Sequence, residues 1–174
     1  MMRIMARRIA GRRRFSNPPA RRKFVWARSV TGEFAAIGTV TSSNLLAAFE
    51  TAYGANLIGA TVARIRGVIS VRPDATGADT TVIVGAKVKD ASDTTLTGPN
   101  ANPHDDWMMF EPFLMSAAVT GITQTQTALT REVDIKAMRK LDEIGQQLTI
   151  VADQSGTETA SELAWCLSIG LLLP

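Results

Sequence analysis

The chain has 174 residues, 45% of them apolar and 20% charged, which suits one ordinary core with an appendage and excludes two full domains. Residues 1–32 carry ten basic side chains and no acidic one, whereas residues 33–174 carry nine basic and sixteen acidic, so +10 is followed by −7 and the net of +3 conceals the split. A single cysteine, Cys166, excludes an internal disulfide, and a single histidine, His104, leaves a histidine-based metal site or a histidine-assisted nucleophile little to build on.

The first element is the basic arm, "MMRIMARRIAGRRRFSNPPARRK", with Arg3, Arg7, Arg8, Arg12, Arg13, Arg14, Arg21, Arg22 and Lys23 as candidate nucleic-acid contacts. It lacks the uninterrupted apolar stretch of a secretory signal. Gly11, Pro18 and Pro19, with Ser16 as its one serine, suit the amphipathic helix of a mitochondrial transit peptide poorly. Guanidinium groups make forked hydrogen bonds to phosphate oxygens and stay charged at physiological pH. Too hydrophilic and proline-broken to fold alone, residues 1–22 read as a flexible tether that binds polyanions without sequence preference and weakens steeply with salt. Phe15, Phe24 and Trp26 could stack on bases, although Phe24 and Trp26 fall in the first strand and are expected in the core.

Beyond the prolines, eight short stretches with period-two alternation, separated by Gly, Asn, Asp, Ser and Thr, predict an all-β sandwich or barrel. The first two are "KFVWARSV" (23–30) and "EFAAIGTV" (33–40), with Thr31 and Gly32 as the turn. A short helix follows, capped by Ser43 or Asn44, with Leu45, Phe49, Ala52 and Tyr53 on one face and Gly54 at its end. In "GATVARIRGVISVRP" (59–73), Ala63, Ile65, Ile69 and Val71 share one face; Arg64, Arg66 and Arg72 share the other with Val62 and Val68. "TTVIVGAKVKD" (80–90) repeats this arrangement after the loop "PDATGAD".

The Gly-, Pro- and Asn-rich segment 90–106 has no periodicity and predicts an exposed loop. "WMMFEPFLM" (107–115) follows, its Pro112 marking an edge or a bulge, and then the polar connection 116–130. "REVDIKAMRKL" (131–141) and "QQLTIVADQ" (146–154) are the sixth and seventh strands. In "ELAWCLSIGLLL" (162–173) Leu163, Trp165, Leu167, Ile169, Leu171 and Leu173 fill one face. Ala164, Cys166, Ser168 and Gly170 fill the other, which places this strand in the middle of a sheet and Cys166 among small buried hydrophobes. The apolar run from Leu163 to Pro174 is too short to cross a bilayer as a helix.

Enzymatic chemistry finds no support. "HDD" (104–106) with Asn100 and Asn102 could offer oxygen ligands to calcium, but the spacing is not that of an EF-hand, and a solvated loop is the simpler reading. The carboxylate pairs Glu132/Asp134 and Asp142/Glu143 fall at strand and turn positions expected to be exposed. Phosphate loop, dinucleotide fingerprint and nucleophile elbow are all missing, so no cofactor, metal or catalytic residue is expected.

An Arg-rich N-terminal arm, eight short strands with a helix between the second and third, and no catalytic set together resemble the coat proteins of small icosahedral viruses with a single jelly-roll domain. The phrases "LIGATVARIRGVISV", "DDWMMFEPFLM" and "DIKAMRKLDEIGQQLTIV" are similar to coat proteins of single-stranded DNA viruses. The resemblance implies an eight-stranded jelly-roll shell domain at 23–174, two four-stranded sheets, and an arm at 1–22 that points inward and binds a DNA or RNA genome. It further implies many copies in a closed shell, assembly inside the host cell, residence in the virion and no membrane partner. Two other readings stay open: a basic-armed component of a ribonucleoprotein such as a ribosome, and an imported mitochondrial domain whose arm is cleaved near residue 23.

Overall fold

The computed structural model describes residues 22–37, 40–53, 57–72, 80–93, 96–103, 106–115, 128–155 and 161–174. Seven of the candidate arm cations, Arg3, Arg7, Arg8, Arg12, Arg13, Arg14 and Arg21, lie outside these residues, as do Gly54, the loop "PDATGAD" and His104.

In chain order the elements are β1 (Lys23–Phe34), β2 (Thr41–Asn44), α1 (Ala47–Tyr53), β3 (Thr61–Arg72), β4 (Thr80–Lys89), β5 (Met109–Met115), β6 (Leu129–Lys140), β7 (Gln147–Ser155) and β8 (Glu162–Leu173). They form two four-stranded sheets, ordered β1-β8-β3-β6 and β2-β7-β4-β5, with neighbouring strands antiparallel throughout. Successive strands alternate between sheets except for the β4–β5 hairpin, which is the jelly-roll topology, and the one short helix lies between β2 and β3. The long alternating strand β8 sits between β1 and β3, as its sequence predicts. The inner faces interdigitate as one core, with Ile65 and Ile69 of β3 and Leu167 and Ile169 of β8 from one sheet, and Val84 of β4, Ile150 of β7 and Phe113 of β5 from the other. At the start of the helix, Asn44 Oδ1 accepts the Leu46 N–H at 2.9 Å, so Asn44 supplies the capping oxygen.

Four local expectations are corrected. Thr31 and Gly32 do not turn: β1 runs on to Phe34, Gly32 pairs with Trp165, and the second strand is the short Thr41–Asn44. Gly32 is there because the indole crosses its backbone; a Cβ would overlap Trp165 Cζ2 and lie 2.7 Å from Cε2. In β3, Val62 is fully buried and Ala63 only half-buried, the reverse of strict alternation, because the register slips between Val62 and Arg64. Cys166 is exposed, since the face of β8 that carries it has no second layer over it.

The fourth correction concerns segment 90–106, which is not wholly solvated. Gly98 and Pro99 are buried against the β2-β7-β4-β5 sheet. The buried Asp153 of β7 accepts the Asn100 N–H at 3.1 Å and the Ala101 N–H, tying the loop down. Burial pushes the Asp153 carboxyl above its ordinary value, and the two N–H groups only partly counter this. The folded state therefore holds this proton to higher pH than the unfolded chain does, so stability falls as pH rises from about 4 through the folded pKa. Asp153→Asn keeps an acceptor for the loop and removes the titration. The urea midpoint of the natural protein should drop relative to that variant as the pH is raised above about 4; a difference that stays constant with pH would mean that the Asp153 carboxyl is not raised in the folded state.

Candidate nucleic-acid interface

Two of the nine predicted cations, Arg22 and Lys23, lie within the described residues, and they fix where the arm joins the domain. Lys23 opens edge strand β1 opposite Leu173, and Arg22 Nη1 donates to Thr61 Oγ1 of β3 at 3.1 Å across the end of the sheet. Residues before 22 therefore enter at the β1 end of the β1-β8-β3-β6 sheet.

The outward face of that sheet continues from this junction. Its centre is the row Ala164, Cys166, Ser168 and Gly170 on β8, whose small side chains leave a trough between β1 and β3. Phe24 and Trp26 stand along it, not in the core. Phe24 is 46% exposed and its ring occupies the space over Gly170, where a Cβ would lie 2.8 Å from Phe24 Cζ. Its ring meets Trp26 edge-to-face with centroids 5.3 Å apart. A cavity of about 710 Å³ opens beside Trp26, and its lining includes Arg28, Arg66, Gly67, Ser168 and the carboxylates Glu132 and Asp134. A sequence signal for this placement existed: Phe24 and Trp26 share parity with the charged Arg28, while Val25 and Ala27 alternate inward.

The charges on this face are unevenly engaged. Arg64 forks onto Asp134 with Nε–Oδ1 and Nη2–Oδ2 both at 2.6 Å, and Arg66 Nε approaches the same carboxylate at 3.8 Å. The Arg64 hydrogen bond, with the nearby cations, holds the Asp134 carboxyl below its ordinary range, and Asp134 in turn raises the Arg64 pKa. Both groups are solvent-exposed and screened by water, so Asp134→Asn should leave the midpoint of a denaturant titration nearly unchanged. Arg72 pairs with Glu162 at 2.6 Å toward the far end of the sheet. Arg28, next to Trp26, has no acidic partner among the described residues.

Elsewhere the chemistry-bearing candidates do not converge. Glu132, Asp142 and Glu143 are exposed. Asp106 pairs with Arg139, and the Asn102 carbonyl accepts the Trp107 indole N–H at 2.8 Å. Among the described residues no cluster of three His, Cys, Asp or Glu side chains is placed to hold a metal ion, and no helix is long and apolar enough to cross a membrane. At the β5/β6 side of the sandwich, Arg131 reaches Glu111 at 3.1 Å and lies 5.0 Å from the Phe113 ring centroid, joining the two edge strands.

No family model and no curated protein sequence matches the chain. Among solved structures it is similar to Desmodium yellow mottle tymovirus, with a TM-score of 0.44 and 13% identity over 100% of this chain and 95% of that one. It is similar also to turnip yellow mosaic virus, with a TM-score of 0.42 and 12% identity over 88% of this chain and 84% of that one. For Cocksfoot mottle virus the TM-score is 0.42 and the identity 12%, over 99% of this chain and 96% of that one. The jelly-roll assignment rests on the strand order of this chain, not on these likenesses.

Proposed function

We propose that the chain is a virus coat protein that assembles into an icosahedral shell and packages nucleic acid through its Arg-rich arm. In this reading residues 1–22 are the arm, residues 23–174 the shell domain, and Arg3, Arg7, Arg8, Arg12, Arg13, Arg14, Arg21, Arg22 and Lys23 the genome contacts.

The observation that carries the reading is the pairing of charge with topology: eight arginines without an acid in residues 1–22 lead into edge strand β1 of an eight-stranded sandwich whose residues 23–174 carry a net −5. Such a subunit is adhesive to phosphate on one side only, which is what a container for nucleic acid requires. The sandwich also leaves four edge strands, β1, β6, β2 and β5, each free to meet another copy. On β5 the exposed Phe110 and Leu114, the latter 75% exposed, flank Pro112 and offer an apolar contact of the kind subunit interfaces bury. If sixty copies closed a shell, the arms would bring on the order of 500 cations inside, enough to neutralise a similar number of phosphates. The role is structural and calls for no cofactor.

The test is the particle size of the purified full chain together with its ultraviolet absorbance ratio at 260 and 280 nm. Large uniform particles with protected nucleic acid are expected, and digestion of the extracted nucleic acid with ribonuclease or deoxyribonuclease tells RNA from single-stranded DNA. A monomer free of nucleic acid would end the proposal, and a monomer that binds structured RNA would favour a ribonucleoprotein component instead.

A further inference from the structure

We propose that the outward face of the β1-β8-β3-β6 sheet is a second nucleic-acid contact, one that takes unpaired bases on Phe24 and Trp26 and phosphates on Arg28 and Arg66. The inference rests on the packaging reading above and adds to it a structured site with a preference for single strands, which an arm of cations does not have.

Three observations converge on this occupant. First, two aromatic rings lie in edge-to-face contact on an outer face, one of them 46% exposed, so they are paid for by neither core nor second layer. Every base has a π-face, and stacking on an exposed ring is tolerant of sequence. Second, the cations nearest the rings are the least engaged on the sheet. Arg28 has no acidic partner among the described residues, and Arg66 meets Asp134 only at 3.8 Å, whereas Arg64 and Arg72 are closely paired. A polyanion would therefore find one guanidinium without an acidic partner, Arg28, and one loosely held, Arg66, beside the rings, and tight ion pairs elsewhere. Third, the site continues the arm through the chain itself. Lys23 directly precedes Phe24, and at about 3.3 Å per residue a nucleic acid held by Arg22 and Lys23 lies within one or two nucleotides of Trp26. The trough over Ser168 and the cavity beside Trp26 give a base room to enter.

The experiment compares the full chain with a Phe24→Leu/Trp26→Leu variant, titrated with oligothymidylate and with a duplex presenting the same number of phosphates. Leucine retains apolar cover over Gly170 and β-compatible bulk while removing the aromatic faces. The natural chain should prefer the single strand; the variant should bind it about tenfold more weakly, with duplex binding and salt slope unchanged. Loss of the double variant to misfolding leaves Arg28→Gln/Arg66→Gln to decide: the salt slope for oligothymidylate should fall by about 1.4, from roughly 0.7 per phosphate contact. Equal weakening on both ligands, or none, overturns the inference, as does a defect confined to particle assembly, which would make this face a contact between copies. In these cases binding through the arm persists and the packaging reading survives; a natural chain that binds neither ligand removes both.

Discussion

Leu167→Asp is expected to leave no folded protein, whereas Cys166→Asp, one residue earlier on the same strand, is expected to fold. Leu167 is 1% exposed and sits on the inner face of β8, between Val30 of β1 and Gly67 of β3. The substitution forfeits about 2 kcal/mol of apolar burial and brings a carboxylate into a core with no cation to meet it, at a cost of several kcal/mol more. Together these approach the whole stability of an ordinary domain, about 5–15 kcal/mol. Cys166 lies between Thr31 and Val68 on the opposite, solvent-facing side. There an aspartate stays hydrated, and the change should remain within about 1 kcal/mol. Soluble yield, far-ultraviolet circular dichroism and a urea midpoint read both outcomes. A folded Leu167→Asp protein, or equal failure of the two, would show that the faces of β8 are wrongly assigned.

The same strand shows why parts of the fold are legible in sequence and others are not. β8 is read correctly in position and parity because six large apolar residues alternate without interruption, and a period of two fixes both faces of a strand at once. That alternation says which side is bulky, but not whether the other side is covered, so the apolar setting of Cys166 predicts burial and the residue is exposed. β1 and β3 defeat the same rule at their register slips, between Ala27 and Val30 and between Val62 and Arg64, where an extra residue shifts the phase. Ser29 takes a φ of 54° at the first of these slips. Membership of a strand predicts Phe24 and Trp26 in the core, as aromatic residues in strands usually are; their parity with Arg28 is the better guide. The loop at 96–103 looked merely polar because its anchor is not local: Asp153 stands more than fifty residues later in the chain and holds it through backbone N–H groups. The basic arm was legible as composition alone.

Removing residues 1–21 is expected to leave the jelly-roll domain folded and, on the packaging proposal, to strip it of most of its nucleic acid. Among the described residues every member of the buried core lies between Ala27 and Leu171, all of which the truncated chain retains. Cutting after residue 21 also retains Arg22 and its hydrogen bond to Thr61, which a cut one residue later would forfeit. Seven arginines leave with the segment, taking the formal net charge from +3 to −4. At roughly 0.7–0.9 in salt slope per phosphate contact, the loss of seven contacts flattens the slope by about five to six and lowers affinity at modest salt by several orders of magnitude. Circular dichroism and thermal melting should match the full chain, while the 260 to 280 nm absorbance ratio of any particles formed should fall toward that of protein alone. Unfolding of the truncated chain would put the start of the domain earlier than Arg22. Undiminished nucleic acid would move the packaging role away from the arm and onto the sheet face. If both contacts operate, the truncated chain keeps a weak affinity that favours oligothymidylate over duplex and has a shallow salt slope, about 1.4 from Arg28 and Arg66 with any that Arg22 and Lys23 add, because stacking on Phe24 and Trp26 itself releases few counterions.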